Sequence, residues 1–210
     1  MTIIIQTLTL SNSIKANYKN TQSIDLLIKT DKDINAVYNL YAHILYQETL
    51  SNTDLPIEIM QFSITEVGSY TTALCNSSDS LKNYANYVAL YTIHELITKD
   101  DAKAFTAHNL QTNELVGFIS FYPAKIEDKK VIYISQLGVK YLRQGIGKIL
   151  TQQVLNNYPH NTKFVVLARN FNTNAIALYI SKDIGFTEQS SDICKSFGYD
   201  PKNYLALSKN

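Results

Sequence analysis

Cysteine is nearly missing from this chain: two residues, Cys75 and Cys194, in 210. That is too few for a disulfide framework and points to reduced thiols in a reducing compartment. Proline (four) and glycine (seven) are sparse as well, and no Pro/Gly/Ser-rich linker, repeat or low-complexity tract divides the chain. No apolar run approaches the ~18 residues of a membrane span. The start, Met1-Thr2-Ile3-Ile4-Ile5, lacks both the basic n-region and the longer apolar core of a signal peptide. Neither sign of charge is in excess: 19 basic residues stand against 18 acidic ones, a net charge of +1. Nucleic-acid binding by bulk electrostatics is therefore not expected. What remains is ordinary for a globular protein, with 45% hydrophobic and 18% charged residues. The length, roughly one and a half typical domains, allows one domain with a sizeable core and no staples. The expectation is a cytoplasmic protein with no membrane and no nucleic-acid partner.

Residues 1–23 are polar and loosely patterned after Ile5, and read as an N-terminal arm or an extra edge strand. Residues 24–210 read as a single domain. Ile24–Lys29 suits a strand, and Asp31 offers an N-cap to a helix carrying Ile34, Val37, Tyr38, Tyr41, Ile44 and Leu45 at spacings of 3, 4 and 7. Asp54 and Pro56 mark a second, short helix start. Asp79 or Ser80 caps a third helix with Leu81, Tyr84, Val88 and Tyr91 on one face. The period then changes to two. Ala104–Asn109, Leu115–Tyr122 and Val131–Val139 read as consecutive strands joined by the polar turns 111–114 and 127–130. Gly145–Asn157 is helical in pattern, Phe164–Arg169 a short buried strand, and Asn174–Ser181 helical again. Two strand candidates, around Phe186 and at Tyr204–Leu207, close the chain. The fold class is α/β in layers: a mixed sheet with helices on its faces.

Because glycine is scarce, its clustering is informative. Gly138, Gly145 and Gly147 fall within ten residues, at a strand end and the next helix start. The segment Leu142-Arg143-Gln144-Gly145-Ile146-Gly147-Lys148 puts small residues where first-turn amides have no intrahelical partners and the helix dipole favours negative charge. Such a geometry binds phosphate, although a tight strand-to-helix turn with no ligand fits the spacing too. It is not a Walker A loop, since no glycine sits five residues before Gly147 and Ile149 replaces the Ser/Thr. Nor is it a full dinucleotide fingerprint, since Leu150 stands at the third glycine. A second signal lies downstream, where Asn172-Thr173-Asn174-Ala175-Ile176-Ala177-Leu178-Tyr179 leads from a polar loop into a helix that ends at Gly185-Phe186.

Together, Ile134–Val139, Arg143–Lys148 and Asn172…Ala175…Leu178-Tyr179…Gly185-Phe186 resemble the GNAT superfamily of N-acetyltransferases. The motifs span Ala104 to Phe186, and the element order extends the likeness from Ile24 to the C-terminus. The chain departs from the family in three places. Leu142 occupies the usual Gln/Arg position of the phosphate loop, the Val139–Gly145 connection is short, and five residues separate Tyr179 from Gly185.

The resemblance implies a mostly antiparallel sheet of about seven strands, splayed between the fourth and fifth core strands, Val131–Val139 and Phe164–Arg169. It implies acetyl-CoA as cosubstrate in that gap, with a primary amine of a small molecule, peptide or protein as acceptor. The peptide groups of Leu137, Gly138 and Val139 would pair with the pantetheine arm, and Leu142–Lys148 would hold the pyrophosphate, with Asn172 also at the cofactor. Tyr179 would protonate the leaving thiolate. The alternative is a catalytically silent module of this fold that binds CoA or a protein partner. The base is poorly marked, because the strand Val131–Val139 holds no carboxylate. Ordered water near Ser135 and Gln136 is expected in that role, ahead of Glu48, His94 and Glu95, since residues of their kind usually sit on solvated helix faces. No metal is expected: Thr98 stands where a zinc motif starting at His94-Glu95 needs its second His, and His108 and His160 have no partners at ligand spacing. The acceptor region, about Asp31–Tyr70, carries no diagnostic residues, and 49–86 reads as a lid or a partner surface. Monomer and homodimer remain equally open.

Overall fold

The computed structural model describes residues 12–15, 25–30, 39–44 and 80–210. Two N-terminal strands, β1 (Asn12–Lys15) and β2 (Asp25–Thr30), are followed by the helical residues 39–44 (α1) and by α2 (Ser80–Thr98). Then come β3 (Lys103–Asn109), β4 (Leu115–Ile126), β5 (Lys129–Val139), α3 (Ile146–Asn156), β6 (Phe164–Arg169) and α4 (Thr173–Ile180). The chain closes with β7 (Thr187–Glu188), α5 (Asp192–Ser196) and β8 (Tyr204–Lys209). Among the described residues the strands make one sheet in the order β1-β2-β3-β4-β5-β6-β8-β7, eight where about seven were expected. The added one is β1, which pairs antiparallel with β2 at the edge.

Every neighbouring pair is antiparallel except β5 and β6, which run parallel over only Ile132–Ile134 against Phe164–Val166. Beyond Ile134 the two strands have no common register. The expected splay is there, and among the described residues it leaves the β6-facing edge of Ser135–Val139 without a strand partner.

The β4–β5 hairpin is longer at its tip than alternation suggests. Ile126 pairs with Lys129 across Glu127 and Asp128, whose φ values are 48° and 63°. That is the backbone of a tight two-residue turn with both central residues left-handed, a shape that matches strand twist. The pattern of charges around it therefore belongs partly to strand rather than to loop.

The layers follow from residue periodicity. In α3 the apolar residues Ile146, Leu150 and Val154 recur every fourth position and are each at most 1% exposed. They pack with Ile119, Phe121, Ile132, Ile134 and Val166 on one sheet face. Burying each such side chain contributes roughly 1.5–3 kcal/mol, enough to seat the helix. The other face carries Tyr122, Val131, Tyr133, Val165 and Leu167 against Cys194 of α5. That small helix was not expected from the sequence, and it buries the Cys194 thiol. Nearer the N-terminal strands, Leu40 and Tyr41 of α1 pack with Ala85 and Ala89 of α2 over Phe118. Among the described residues no helix is long and apolar enough to cross a membrane. The helix start at Asp54–Pro56, Asp79, Glu48 and Cys75 lie outside the described residues.

Candidate active site

β5 is interrupted where the sheet opens. Ile134 pairs with Phe121 and Gln136 with Ser120, so Ser135 has no opposite residue on β4. Such a bulge bends the strand and re-aims side chains. Here Ser135 and Gln136 both face one cleft of about 340 Å3 between β5 and β6. Leu137 continues its β5 wall, and Val166 to Arg169 form the β6 wall. Helices α1 and α2 close it with Tyr41, Tyr84, Tyr87 and Tyr91, and α4 adds Ala175 and Tyr179.

At the far end of β5 the loop from Lys140 leads into α3. Arg143 and Gly145 have φ of 60° and 76°, with no left-handed residue between them. Alternation of this kind curls successive amides into an anion-binding concavity. The first helical amide with a carbonyl partner is that of Ile149, which donates to Gly145 O at 3.0 Å, so among the described residues the helical amides before it have no backbone partner. Nothing lies within 4 Å of the place where a Cβ on Gly145 would stand. Gln144 buries its side-chain oxygen without a partner among the described residues, an acceptor that a bound molecule could satisfy.

Other expected contacts are redirected by packing. Lys148 points its ammonium at Asp183, 2.5 Å away, rather than into the loop. Leu142, at the usual Gln/Arg position, is 62% exposed. A Cβ on Gly147 would meet Leu178, Leu137 and Val139 at 3.2–3.8 Å, so this glycine lets α3 approach β5 and α4. Gly138 has a similar packing reason: a Cβ there would stand 2.7 Å from Phe118 and 3.3 Å from both Ile44 and Tyr41. Asn172 is the N-cap of α4, its side chain accepting from the Ala175 amide at 3.0 Å, and it also lines the cleft.

Tyr179 is 3% exposed, sits against Phe186 with ring centroids 5.4 Å apart, and lines the cleft. Burial pushes its phenol well above the ordinary tyrosine range. The long Tyr179–Gly185 spacing is absorbed locally. Ile184 drops into the core at 0% exposure, the Gly185 amide caps Ser181 O at 2.7 Å, and Phe186 donates back to Tyr179 O at 2.9 Å. The extra residues thus bulge the helix end while Tyr179 keeps its place beside the cleft.

The structure places two residues of the site where a reading of sequence alone does not put them. Glu95 was expected on a solvated helix face but is 4% exposed. It continues the buried stripe Ala85, Ala89 and Thr92. That stripe, at helical spacing, was the available signal. Glu95 accepts hydrogen bonds from Tyr122 at 3.0 Å and from Ser135. Its neighbour His94 is exposed. The second candidate is Arg169, whose guanidinium donates to Tyr84 and lies 5.1–5.2 Å from the ring centres of Tyr84 and Tyr204. Such a stack holds a fixed positive charge in the cleft wall.

The comparisons with known proteins agree with this architecture. No curated protein sequence matches the chain. Among solved structures it resembles an acetyltransferase from Thermus thermophilus, at 12% identity and a TM-score of 0.53, over 88% of this chain and 96% of that one. It likewise resembles a histone acetyltransferase HPA2-related protein from Corynebacterium glutamicum, at 14% identity and a TM-score of 0.53, over 88% and 94% of the two chains. A chain of the NatC complex bound to Gag peptide and CoA matches at 16% identity and a TM-score of 0.50, over 87% and 96%. The sequence profile of the acetyltransferase (GNAT) family matches residues 73–186, more than half the chain, a stretch that contains α2 to α4 and ends at Phe186. The chain belongs to the GNAT acetyltransferase family.

Proposed function

We propose that this protein is an acetyl-CoA-dependent N-acetyltransferase that moves the acetyl group directly to a primary amine of a small molecule, peptide or protein. The observation that carries the reading is the opening between β5 and β6, which ends at a loop shaped to hold an anion. The β5 edge from Ser135 to Val139 has no strand partner on its β6 side, so the peptide groups of Leu137, Gly138 and Val139 can pair with an extended pantetheine arm. The loop Leu142–Lys148 then receives the pyrophosphate on its free amides, mainly those around Gly145, Ile146 and Gly147. Arg143, exposed on that loop, adds positive charge. Asn172 holds the start of α4 and so sets the position of Tyr179. The solved NatC complex, of the same fold, holds CoA and a peptide, which supports the cosubstrate and the acceptor class. The free Cys194 thiol suits a reducing cytoplasm.

Transfer needs three things from the chain. A backbone amide on the open β5 edge polarises the thioester carbonyl, a contribution typically worth ~3–4 kcal/mol of barrier. Tyr179 supplies a proton as the C–S bond breaks. A tyrosine is already a weaker acid than a thiol by roughly 2 kcal/mol, and burial widens the gap, so the proton moves only as thiolate charge develops. Finally, the acceptor must lose a proton, because a lysine-like amine of pKa ~10.4 is only about one part in 2,500 neutral at pH 7.

The test is turnover. Acetyl-CoA with a panel of primary amines should release free CoA thiol, with acetylated amine seen by mass spectrometry. Exposed Leu142 at the usual Gln/Arg position is the one observation favouring a silent CoA-binding module. That reading predicts calorimetric binding of acetyl-CoA with no thiol release for any amine.

A further inference from the structure

We infer that Glu95, acting through Ser135, receives the proton that the acceptor amine loses. The inference rests on the acetyl-transfer reading above. Its starting point is a buried carboxylate that no cation neutralises: among the described residues Glu95 forms no ion pair. Buried charges are usually paired with an opposite charge, so one that is not calls for a reason. Its two oxygens are held by different elements of the sheet. Oε1 accepts from the Tyr122 hydroxyl of β4 at 3.0 Å, and Oε2 accepts from the Ser135 hydroxyl of β5.

The direction of the second bond matters. A serine hydroxyl has one proton and two lone pairs. Ser135 spends its proton on Glu95, so it presents lone pairs to the cleft that it lines. An amine approaching the thioester meets an acceptor already coupled to a carboxylate. The bulge that leaves Ser135 unpaired on β4 is what turns this hydroxyl both ways.

A second cavity of about 350 Å3 lies on the other side of Glu95, lined by Tyr91, Lys99, Tyr122, Lys125 and Tyr199 among others. It shares Tyr91, Phe197 and Tyr199 with the cleft, and Glu95, which lines it, reaches the cleft through its hydrogen bond from Ser135. A proton taken on the cleft side has a route to water on the other.

The step balances as follows. The ammonium gives one proton to Ser135 Oγ as the Ser135 proton passes to Glu95 Oε2, leaving a neutral amine. The nitrogen lone pair attacks the thioester carbon, the C–N bond forms, and the C–S bond breaks. The thiolate takes its proton from Tyr179, which recovers one from the nitrogen through water. Glu95 releases its proton through the second cavity. The net products are amide, CoA thiol and one proton.

Among the described residues, the titratable and charged groups facing Glu95 are Tyr91 from α2, Lys99 just after it, Tyr122 and Lys125 from β4, Tyr133 from β5, and Tyr199 beyond α5. Burial first, with the Glu95 charge contributing, holds all four phenols above their ordinary range. None of them becomes an anion while an amine is being deprotonated near neutral pH.

The experiment is the pH profile of kcat/KM for wild type, Glu95→Gln, Glu95→Asp and Ser135→Ala. Each is read with the best acceptor from the amine panel, after melting curves and acetyl-CoA calorimetry. Wild type should run flat from near neutral pH up to the acceptor's own pKa. Glu95→Gln and Ser135→Ala should instead rise tenfold per pH unit toward that pKa. Their defect should be about 10²-fold or more at pH 7 and shrink to a few-fold near pH 10. Glu95→Asp, which keeps a carboxylate, should keep the flat shape at a lower plateau. A defect equal at every pH would make Glu95 a structural anchor and overturn the inference, as would turnover within threefold of wild type in both Glu95→Gln and Ser135→Ala. Those results leave acetyl transfer itself standing. Binding of acetyl-CoA by the wild type without turnover of any amine would instead remove the transfer reading and this inference together.

Discussion

Gly145 is the sharpest probe of where the pyrophosphate sits. Its φ of 76° is left-handed, and a Cβ there would meet nothing within 4 Å. A substitution is therefore felt as backbone strain and charge rather than as a clash. Gly145→Ala carries the strain alone, roughly 1–2 kcal/mol, which should lower the melting temperature by about 2–8 °C in a chain of this size. Gly145→Asp adds a carboxylate at the mouth of the loop. At ~6 Å from a phosphate charge and an effective dielectric near 20, two unit charges repel by roughly 3 kcal/mol. The carboxylate also caps first-turn amides that the phosphate would use. Salt screening at an open site reduces the sum, leaving about 2 kcal/mol, or ~30-fold in affinity. Titration calorimetry with acetyl-CoA should show Gly145→Asp binding ~30-fold more weakly than Gly145→Ala, with the gap narrowing as salt is raised. Equal affinity of the two variants would refute the loop as the pyrophosphate site. Gly147 is a poorer choice, because any side chain there also presses on Leu178 and Leu137.

Tyr179→Phe keeps the contact with Phe186 and removes the hydroxyl, so kcat should fall about 10²-fold with a nearly unchanged KM for acetyl-CoA. Turnover within twofold of wild type would make the ring mere packing. Because burial raises the phenol above its ordinary value, it stays protonated as pH rises, and wild-type kcat should show no alkaline loss from this group below pH ~10. Gly138→Ala would place a methyl 2.7 Å from the Phe118 ring, an overpacking that typically costs about 1–3 kcal/mol. The expected fall in melting temperature is roughly 3–10 °C, and an unchanged melting curve would mean that Phe118 is not held against Gly138 as described.

Much of the architecture was legible in the residues. The period-two runs from Ala104 to Val139 and the 3.6-residue pattern of Ile146, Leu150 and Val154 mark elements whose faces are decided by local alternation. The tight turn into α3 was legible for the same reason, since glycine at 145 after a strand reports a backbone requirement directly. The fate of Leu142 and Lys148 was not, because a side chain at a loop mouth goes where neighbours from other elements allow. Asp183, which captures Lys148, lies 35 positions downstream.

The amino-acid order by itself determined the succession of strands and helices from Ala104 to Ile180, the face that α3 buries, and the tight turn that leads into α3 at Gly145. These depend on neighbours within a few residues along the chain. Only the tertiary structure decided that Glu95 is buried and that Ser135 joins it to the cleft. Those facts need α2, β4 and β5 brought together across separations of 27 and 40 residues, and a bulge in β5 set by its pairing with β4. A carboxylate on a helix carries no local sign of the sheet it will meet. Its burial is an outcome of how α2, with Ala85 and Ala89 against Phe118, packs on the layer beneath it.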